Sequence, residues 1–313
     1  MKKWVLKAIV QKSISYLPKS QQINYFFQKH ITKGVYLTDD YFLSRLDHAK
    51  THINSYKKFS NKEYPTTSLE IGTGWYPIVP ISLFLIGTEK INSVDISFLT
   101  SKEKIIFTIE KFIDFENKSI LRKYFKVLPE RLDAIKSIYS NRNKLSLEDI
   151  LSELKITYLI EDARKLSLES NSIDLVNSNN TFEHIYPEIL TPIIKEFHRV
   201  VNKENGVMSH LIDMSDHFAH NDSSISIYNF LKFSDKQWKC IDNSIQPQNR
   251  LRYFDFENIY SELNIPITEY WKEFGSPEII KSMILPEKYK NISFENLAIS
   301  HCHIVSEMKL AKK

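Results

Sequence analysis

Glycine is scarce in this chain, with six in 313 residues, where an average protein of that length would carry about twenty. Two of them placed two apart therefore raise the question of what turn they make. Cysteine is scarcer: Cys240 and Cys302 are the only two. That excludes a disulfide framework and a multi-cysteine zinc site, and it fits a reducing, cytoplasmic setting. No uninterrupted apolar run approaches the ~20 residues a membrane span needs. The opening stretch, MKKWVLKAIVQKSISYLP, is broken by Lys7 and Lys12 and leads to no small-residue cleavage site, so a signal peptide is not expected. Charge of one sign is also lacking, since 42 Lys and Arg face 38 Asp and Glu. No dense basic run is interleaved with stacking aromatics, and a dedicated nucleic-acid groove is not expected.

What is present is enough apolar material for a sizeable core: 42% of all residues are hydrophobic and 12% of all residues are aromatic. Residues 1–62 read as a helical cover, broken at Pro18 and at a polar turn around Lys33-Gly34. Trp4, Val5, Ala8 and Ile9 share one helix face, with Lys2, Lys3, Lys7 and Lys12 largely elsewhere. Such a helix either docks on its own protein, the commoner fate, or makes peripheral contact with an anionic membrane. From residue 63 the texture changes. Short segments rich in apolar and β-branched residues, at 66–71, 90–95, 156–160, 172–178, 206–213 and 297–308, alternate with helical patterns such as 188–202. That alternation predicts a mainly parallel, doubly wound α/β sheet covered on both faces. Sixty residues separate Asp95 from Ile156, about twice an ordinary crossover. Apolar residues at helical spacing, Pro129 between two such runs, and a Ser146-x-x-Asp149 capping pattern predict a helical insertion over 100–154.

Two of the six glycines stand two apart in Ser68-Leu-Glu-Ile-Gly-Thr-Gly-Trp-Tyr-Pro77. A strand ending in Gly-x-Gly and entering a helix brings backbone close to a ligand at the carboxyl edge of a sheet. The dinucleotide fingerprint would place a third glycine where Pro77 stands, which disfavours a pyrophosphate cradle. Downstream, Asp95 ends the second strand, 21 residues after Gly74, and EDARKL follows the third. Then come SNSIDLVNSNNTFEHI around the fourth strand and KEFHRVVNKENGVMSHLIDMSDHF leading into the fifth.

This ordered series, spanning about residues 66–218, resembles the class I S-adenosylmethionine-dependent methyltransferases. The resemblance implies a Rossmann-like seven-stranded sheet over residues 63–313 and S-adenosylmethionine as cofactor. It implies that Glu70, Gly72, Thr73, Gly74 and Tyr76 surround the methionine end, and that Asp95, with Ile96 beside it, holds the ribose. Asp162 and Ala163 would meet the adenine, and Ser178 and Asn179 would line the pocket from the fourth strand. The chain departs from the family pattern at Tyr76, in place of a further glycine, at Asn205-Gly206, in place of Pro-Gly-Gly, and in the insertion.

For transfer to an alcohol, a side chain must remove a proton. Candidates lie at the end of the fifth strand and in a substrate-side segment, 214–255. His217 is the candidate base, oriented by Asp213 or Asp216, and His184 faces the same crevice. His220, Asn249 and Arg250 are candidate acceptor contacts, Arg250 as a clamp for an anionic group. The acidic and histidine residues from Asp213 to Asp222 are also plausible cation ligands, but they match no ligand pattern and no metal site is assigned. His301 and His303 are expected as a satisfied pair on one face of an edge strand. A softer likeness, to methyltransferases of bacterial surface-polysaccharide clusters, implies a sugar, glycan or other small polar acceptor. The competing readings are a nicotinamide-dependent oxidoreductase or epimerase, disfavoured by Pro77, and a non-catalytic binding module.

Overall fold

A computed structural model describes residues 2–18 and 36–308. The turn expected at Lys33-Gly34 lies outside the described residues. Helix α1 (Lys3–Ser15) and helix α2 (Asp39–Ser60) precede the sheet. Its strands are β1 (Thr67–Ile71), β2 (Lys90–Asp95), β3 (Ile156–Ile160), β4 (Leu175–Asn179), β5 (Val207–Asp213), β6 (Glu269–Phe274) and β7 (Ile299–Glu307). They lie in the order β3-β2-β1-β4-β5-β7-β6. Only β7 runs against its neighbours. Strand order therefore reverses between β1 and β4, and in an open sheet of this kind the carboxyl ends at that switch leave a crevice.

Both faces are covered. On one, α2 packs with α3 (Ile78–Ile86) and with the helices between β2 and β3, α4 (Lys102–Asn117), α5 (Pro129–Asn141) and α6 (Leu147–Glu153). All nine residues of α3 are buried; eight are apolar, and the ninth, Ser82, donates its hydroxyl to Ile78 O within the helix. Gly87 stops it at φ 112. Pro129 opens α5, and Ser146 and Asp149 form the capping box that opens α6. The other face carries α7 (Pro187–Val200) and α8 (Tyr253–Glu262).

Helix α1 docks on the protein itself. Trp4 packs on Phe218 and Phe233 with ring centroids 5.9 and 5.8 Å away, and its backbone N–H donates to Asp222. The buried positions are Ala8, Gln11 and Ile14. Ile9 is thus not on the docked face; it is exposed with Leu6 and Val10. Among the described residues no helix is long and apolar enough to cross a membrane.

Two strands differ from the sequence reading. Residues 172–174 belong to the approach to β4, where Asp174 caps the β1 backbone by accepting from the N–H groups of Thr66 and Thr67. Strand β7 is interior, between β5 and β6, so its histidines are not on an edge. The edge strand on that side is β6, which the sequence hides because Glu-Tyr-Trp-Lys-Glu-Phe has no buried face.

Candidate active site

The crevice at the switch point is lined by Glu70, Gly72, Thr73, Gly74, Tyr76 and Asn179, together with Tyr41 and Arg45 from α2. The glycine turn has φ 75 at Gly72 and 69 at Gly74, values that L side chains rarely adopt. Gly72 is constrained twice, since a Cβ there would lie 2.5 Å from Thr181 Oγ1. Its N–H donates to Val94 O, which ties the turn to β2.

Glu70 ends buried beneath this turn. Its carboxylate accepts from Thr73 Oγ1 at 2.5 Å and from Asn179 Nδ2 at 2.8 Å. Burial pushes its pKa up to about 7, against the pull of those hydrogen bonds. Asn179 is oriented from behind by a one-way chain. His303 Nε2 donates to Ser209 Oγ at 2.8 Å, Ser209 donates to His52 Nδ1 at 2.7 Å, and His52 Nε2 donates to Asn179 Oδ1 at 2.9 Å. That direction leaves the Asn179 amide to donate to Glu70, and it needs neutral imidazoles. Burial supplies them, lowering His52 to about 4 and His303 to about 3. Ser178, one residue away, points to the opposite face because side chains alternate along a strand. Its hydroxyl meets His210 Nδ1 at 2.8 Å, so its side chain is not part of the crevice lining expected of it.

Asp95 closes β2 with its carboxyl raised by burial, against the pull of the Ser97 and Ile96 backbone N–H groups, the Ser97 bond being a long one at 3.4 Å. Beyond it Ile96 is 84% exposed, and Phe98 and Ile160 are exposed too. Ile160 is the register partner of Asp95, so an apolar rim surrounds this carboxylate. Asp162 follows β3 and is exposed. Arg164 donates to it from Nε at 2.9 Å and from Nη2 at 2.5 Å, which draws it down to about 2. Ala163 is buried in the core.

Along the same carboxyl edge, at the ends of β4 and β5, lies a cluster of histidines and carboxylates. Asp213 ends β5 with His217 Nε2 and His301 Nε2 each 3.3 Å from its oxygens and His220 Nε2 at 3.9 Å. Burial alone would raise the Asp213 carboxyl, but His217 and then His301 hold it well below the usual carboxylate range. His301 is placed by register, directly across from Asp213. His184 donates from Nδ1 to Pro247 O at 2.7 Å, and its ring centroid is 4.8 Å from that of His217. Burial, with His217 second, lowers His184 to about 4. Beside it Glu183 is 3% exposed, and neither carboxyl oxygen has a hydrogen-bond partner. Burial, then the charge of Asp213, raises its carboxyl well above the ordinary value.

Other expected acceptor contacts hold this cluster rather than line it. Asn249 clamps the 182–185 turn, donating from Nδ2 to Phe182 O at 2.7 Å and Ile185 O at 2.8 Å. Arg250 is buried and donates to the carbonyls of Phe230 and Phe233 and to Asp235. It is therefore a packing cation, not a free anion clamp. Asp216 accepts from Phe218 N–H and Asn229, and Asp222 from Trp4 and Ser224 N–H, so both are turn caps. His220 is half-exposed and meets Ser215 Oγ at 3.0 Å. The sequence reading missed Tyr41, Arg45, Glu183 and His301. The Glu-His dipeptide was a signal for Glu183, and His301 stood out beside His303 but was read as half of a satisfied strand pair; nothing local marked Tyr41 or Arg45.

The protein family described as "Methyltransferase domain" matches residues 130–208, about a quarter of the chain, from α5 into β5. No curated protein matches. Among solved structures, the plantazolicin methyltransferase BpumL in complex with SAH is similar at 13% identity, over 97% of this chain and 96% of that one, with a TM-score of 0.46. A 1,6-didemethyltoxoflavin-N1-methyltransferase from Burkholderia thailandensis is similar at 9% identity, over 91% and 85%, with a TM-score of 0.45.

Proposed function

We propose that this chain, an S-adenosylmethionine-dependent methyltransferase with the class I fold, methylates a hydroxyl of a sugar, a glycan or another small polar metabolite. The residues at the switch-point crevice fit the cofactor. Glu70 offers a buried carboxylate to an ammonium group, Arg45 lines the same crevice and suits a carboxylate, and the Gly72 and Gly74 backbone there carries no side chain. Asp95 suits a ribose diol, and the apolar rim of Ile96, Phe98 and Ile160 suits a flat base. When bound, the cofactor supplies a methyl group on a sulfonium, already activated for in-line displacement.

The chain's own task is then to hold an acceptor oxygen, exclude water and take its proton. His217, set against Asp213 at 3.3 Å, is our candidate for the proton acceptor, with His184 beside it and His220 at the open side. The observation that carries this reading is that pair's position, on the same sheet edge as the Glu70 crevice and at the end of the strand next to β4. Helix α1, whose Trp4–Ala8–Ile14 face is used on the protein itself, is read as a cover for the acceptor segment. The test is methyl transfer from labelled S-adenosylmethionine to a panel of nucleotide sugars and oligosaccharides. O-methylated product that is lost in Asp213→Asn supports the reading. Product methylated on nitrogen or carbon, or full activity in Asp213→Asn, would overturn it.

A further inference from the structure

Among the described residues, Glu183 is a buried acid that the proposed chemistry leaves without a role. A glutamate carboxylate buried to 3% exposure, with no donor to either oxygen, is costly unless something compensates it. Among the described residues no Lys or Arg lies within ion-pair distance of it; the charge of Arg45 and the nearby backbone N–H groups of Glu183 and Asp213 only partly offset the burial. Its neighbours are two imidazoles: one donor atom each from Glu183, His184 and His217 lie within 4.8 Å of one another.

We propose that Glu183, His184 and His217 form a binding site for a divalent first-row transition cation of the zinc or manganese type. The donor set of two imidazoles and one carboxylate is the one that holds such ions with coordination positions left open. Around an ion at ligand distances of about 2.0–2.2 Å, the three side chains need to close by only about 1 Å. Hard cations such as Ca²⁺, which take six to eight oxygens, do not suit this donor set.

The surroundings are those of oriented ligands. His184 commits Nδ1–H to Pro247 O, which fixes the tautomer with Nε2 bare. His217 rests against Asp213, 3.3 Å away. A carbonyl on one imidazole and a carboxylate on another are how metal-bound histidines are usually held. The turn that carries Glu183 and His184 is clamped by Asn249, and Gln248 links it to the His217 loop. Gln248 donates to Ser215 O at 2.7 Å and accepts from His217 N–H at 3.2 Å. The three ligands thus come from two loops locked to a third.

This inference rests on the proposed placing of the acceptor and changes one step of it. With the cation in place His217 is a ligand rather than a free base. The acceptor hydroxyl binds at an open position and gives its proton to solvent. Its oxygen then forms the new C–O bond, and the sulfur keeps the electron pair of the broken C–S bond.

The experiment is calorimetric titration of Zn²⁺ and of Mn²⁺ into the full chain after dialysis against a chelator, alongside a separate titration of S-adenosylhomocysteine. The expected result is one cation per chain, with affinity at least tenfold weaker in Glu183→Gln and in His184→Ala and unchanged in His198→Ala at the far end of α7. S-adenosylhomocysteine binding by the two ligand variants reports that they are folded. No cation uptake by the wild-type chain, or uptake that Glu183→Gln leaves unaltered, would overturn the inference. If cofactor product binds and cation does not, only this inference fails; if cofactor product does not bind, the proposed function fails first.

Discussion

Replacing Glu70 by Gln should make the empty protein more stable and its cofactor site worse. Burial raises the Glu70 pKa from 4.5 to about 7, so the folded chain binds this proton more tightly than the unfolded chain does. The stabilisation is complete below pH 4.5 and is lost as pH rises through 7. Relative to a group that never ionises, the cost is ~1.4 kcal/mol at pH 5.5 and levels off at ~3.4 kcal/mol above pH 7. Gln can keep the acceptor role toward Asn179 and turn its amide N–H to Thr73 Oγ1, whose hydroxyl can then face Ser93 Oγ, 3.0 Å away. No buried polar atom is orphaned by the change. Thermal unfolding should therefore place Glu70→Gln above wild type by about 5 °C at pH 8.5, with a smaller gap at pH 5.5. Added S-adenosylhomocysteine should stabilise wild type increasingly as pH rises through 7 and stabilise the variant little. A variant less stable than wild type at pH 8.5, or a gap that does not change with pH, would refute the reasoning.

The other predictions concern Asp95, Asp213 and the buried Arg252. Asp95→Ala removes charged hydrogen bonds worth ~1.5–3 kcal/mol, so calorimetry should find S-adenosylhomocysteine bound at least tenfold more weakly, with the melting point of the empty protein nearly unchanged. Asp213→Asn should lower the turnover of methyl transfer by about 100-fold while leaving S-adenosylhomocysteine affinity within a factor of two or so. Arg252 is fully buried and donates to the carbonyls of Met214, Leu297 and Ile299, linking the end of β5 to the start of β7. Arg252→Ala leaves three carbonyls without a donor and a cavity besides, so denaturant unfolding should report a loss of about 3 kcal/mol or more. A loss under 1 kcal/mol would show that water replaces the guanidinium.

The sheet was legible where chain polarity switches sharply. Strands β2 and β3 fall where the sequence put them because Lys90 and Asp95, or Lys155 and Glu161, bracket short segments that carry Ile, Val or Leu. Strand β6 was not legible, since an exposed edge needs no apolar alternation. In the crevice, the Glu70–Tyr76 turn and Asn179 could be read because backbone geometry and sheet register fix them locally. Arg45 and His52 could not, for they reach Asn179 and Glu70 from a helix that meets β4 more than a hundred residues away in sequence. Arg250 misled for a physical reason. An arginine in a polar loop reads as a free cation, yet its guanidinium is used on backbone carbonyls that the 229–233 turn leaves unpaired. Asn249 is similar: an amide can bind a ligand or a turn, and only the fold decides which.

The central claim is that the crevice beneath the Gly72–Gly74 turn receives the methyl donor. Calorimetric titration of S-adenosylhomocysteine into the wild-type chain and into Gly72→Val tests it directly. Valine at that position would drive its Cβ into Thr181 and strain a backbone held at φ 75, displacing the turn that lines the crevice. One binding event per wild-type chain, abolished in a folded Gly72→Val, is the predicted result. No heat from the wild-type chain at millimolar ligand, or equal binding by both chains, would contradict it.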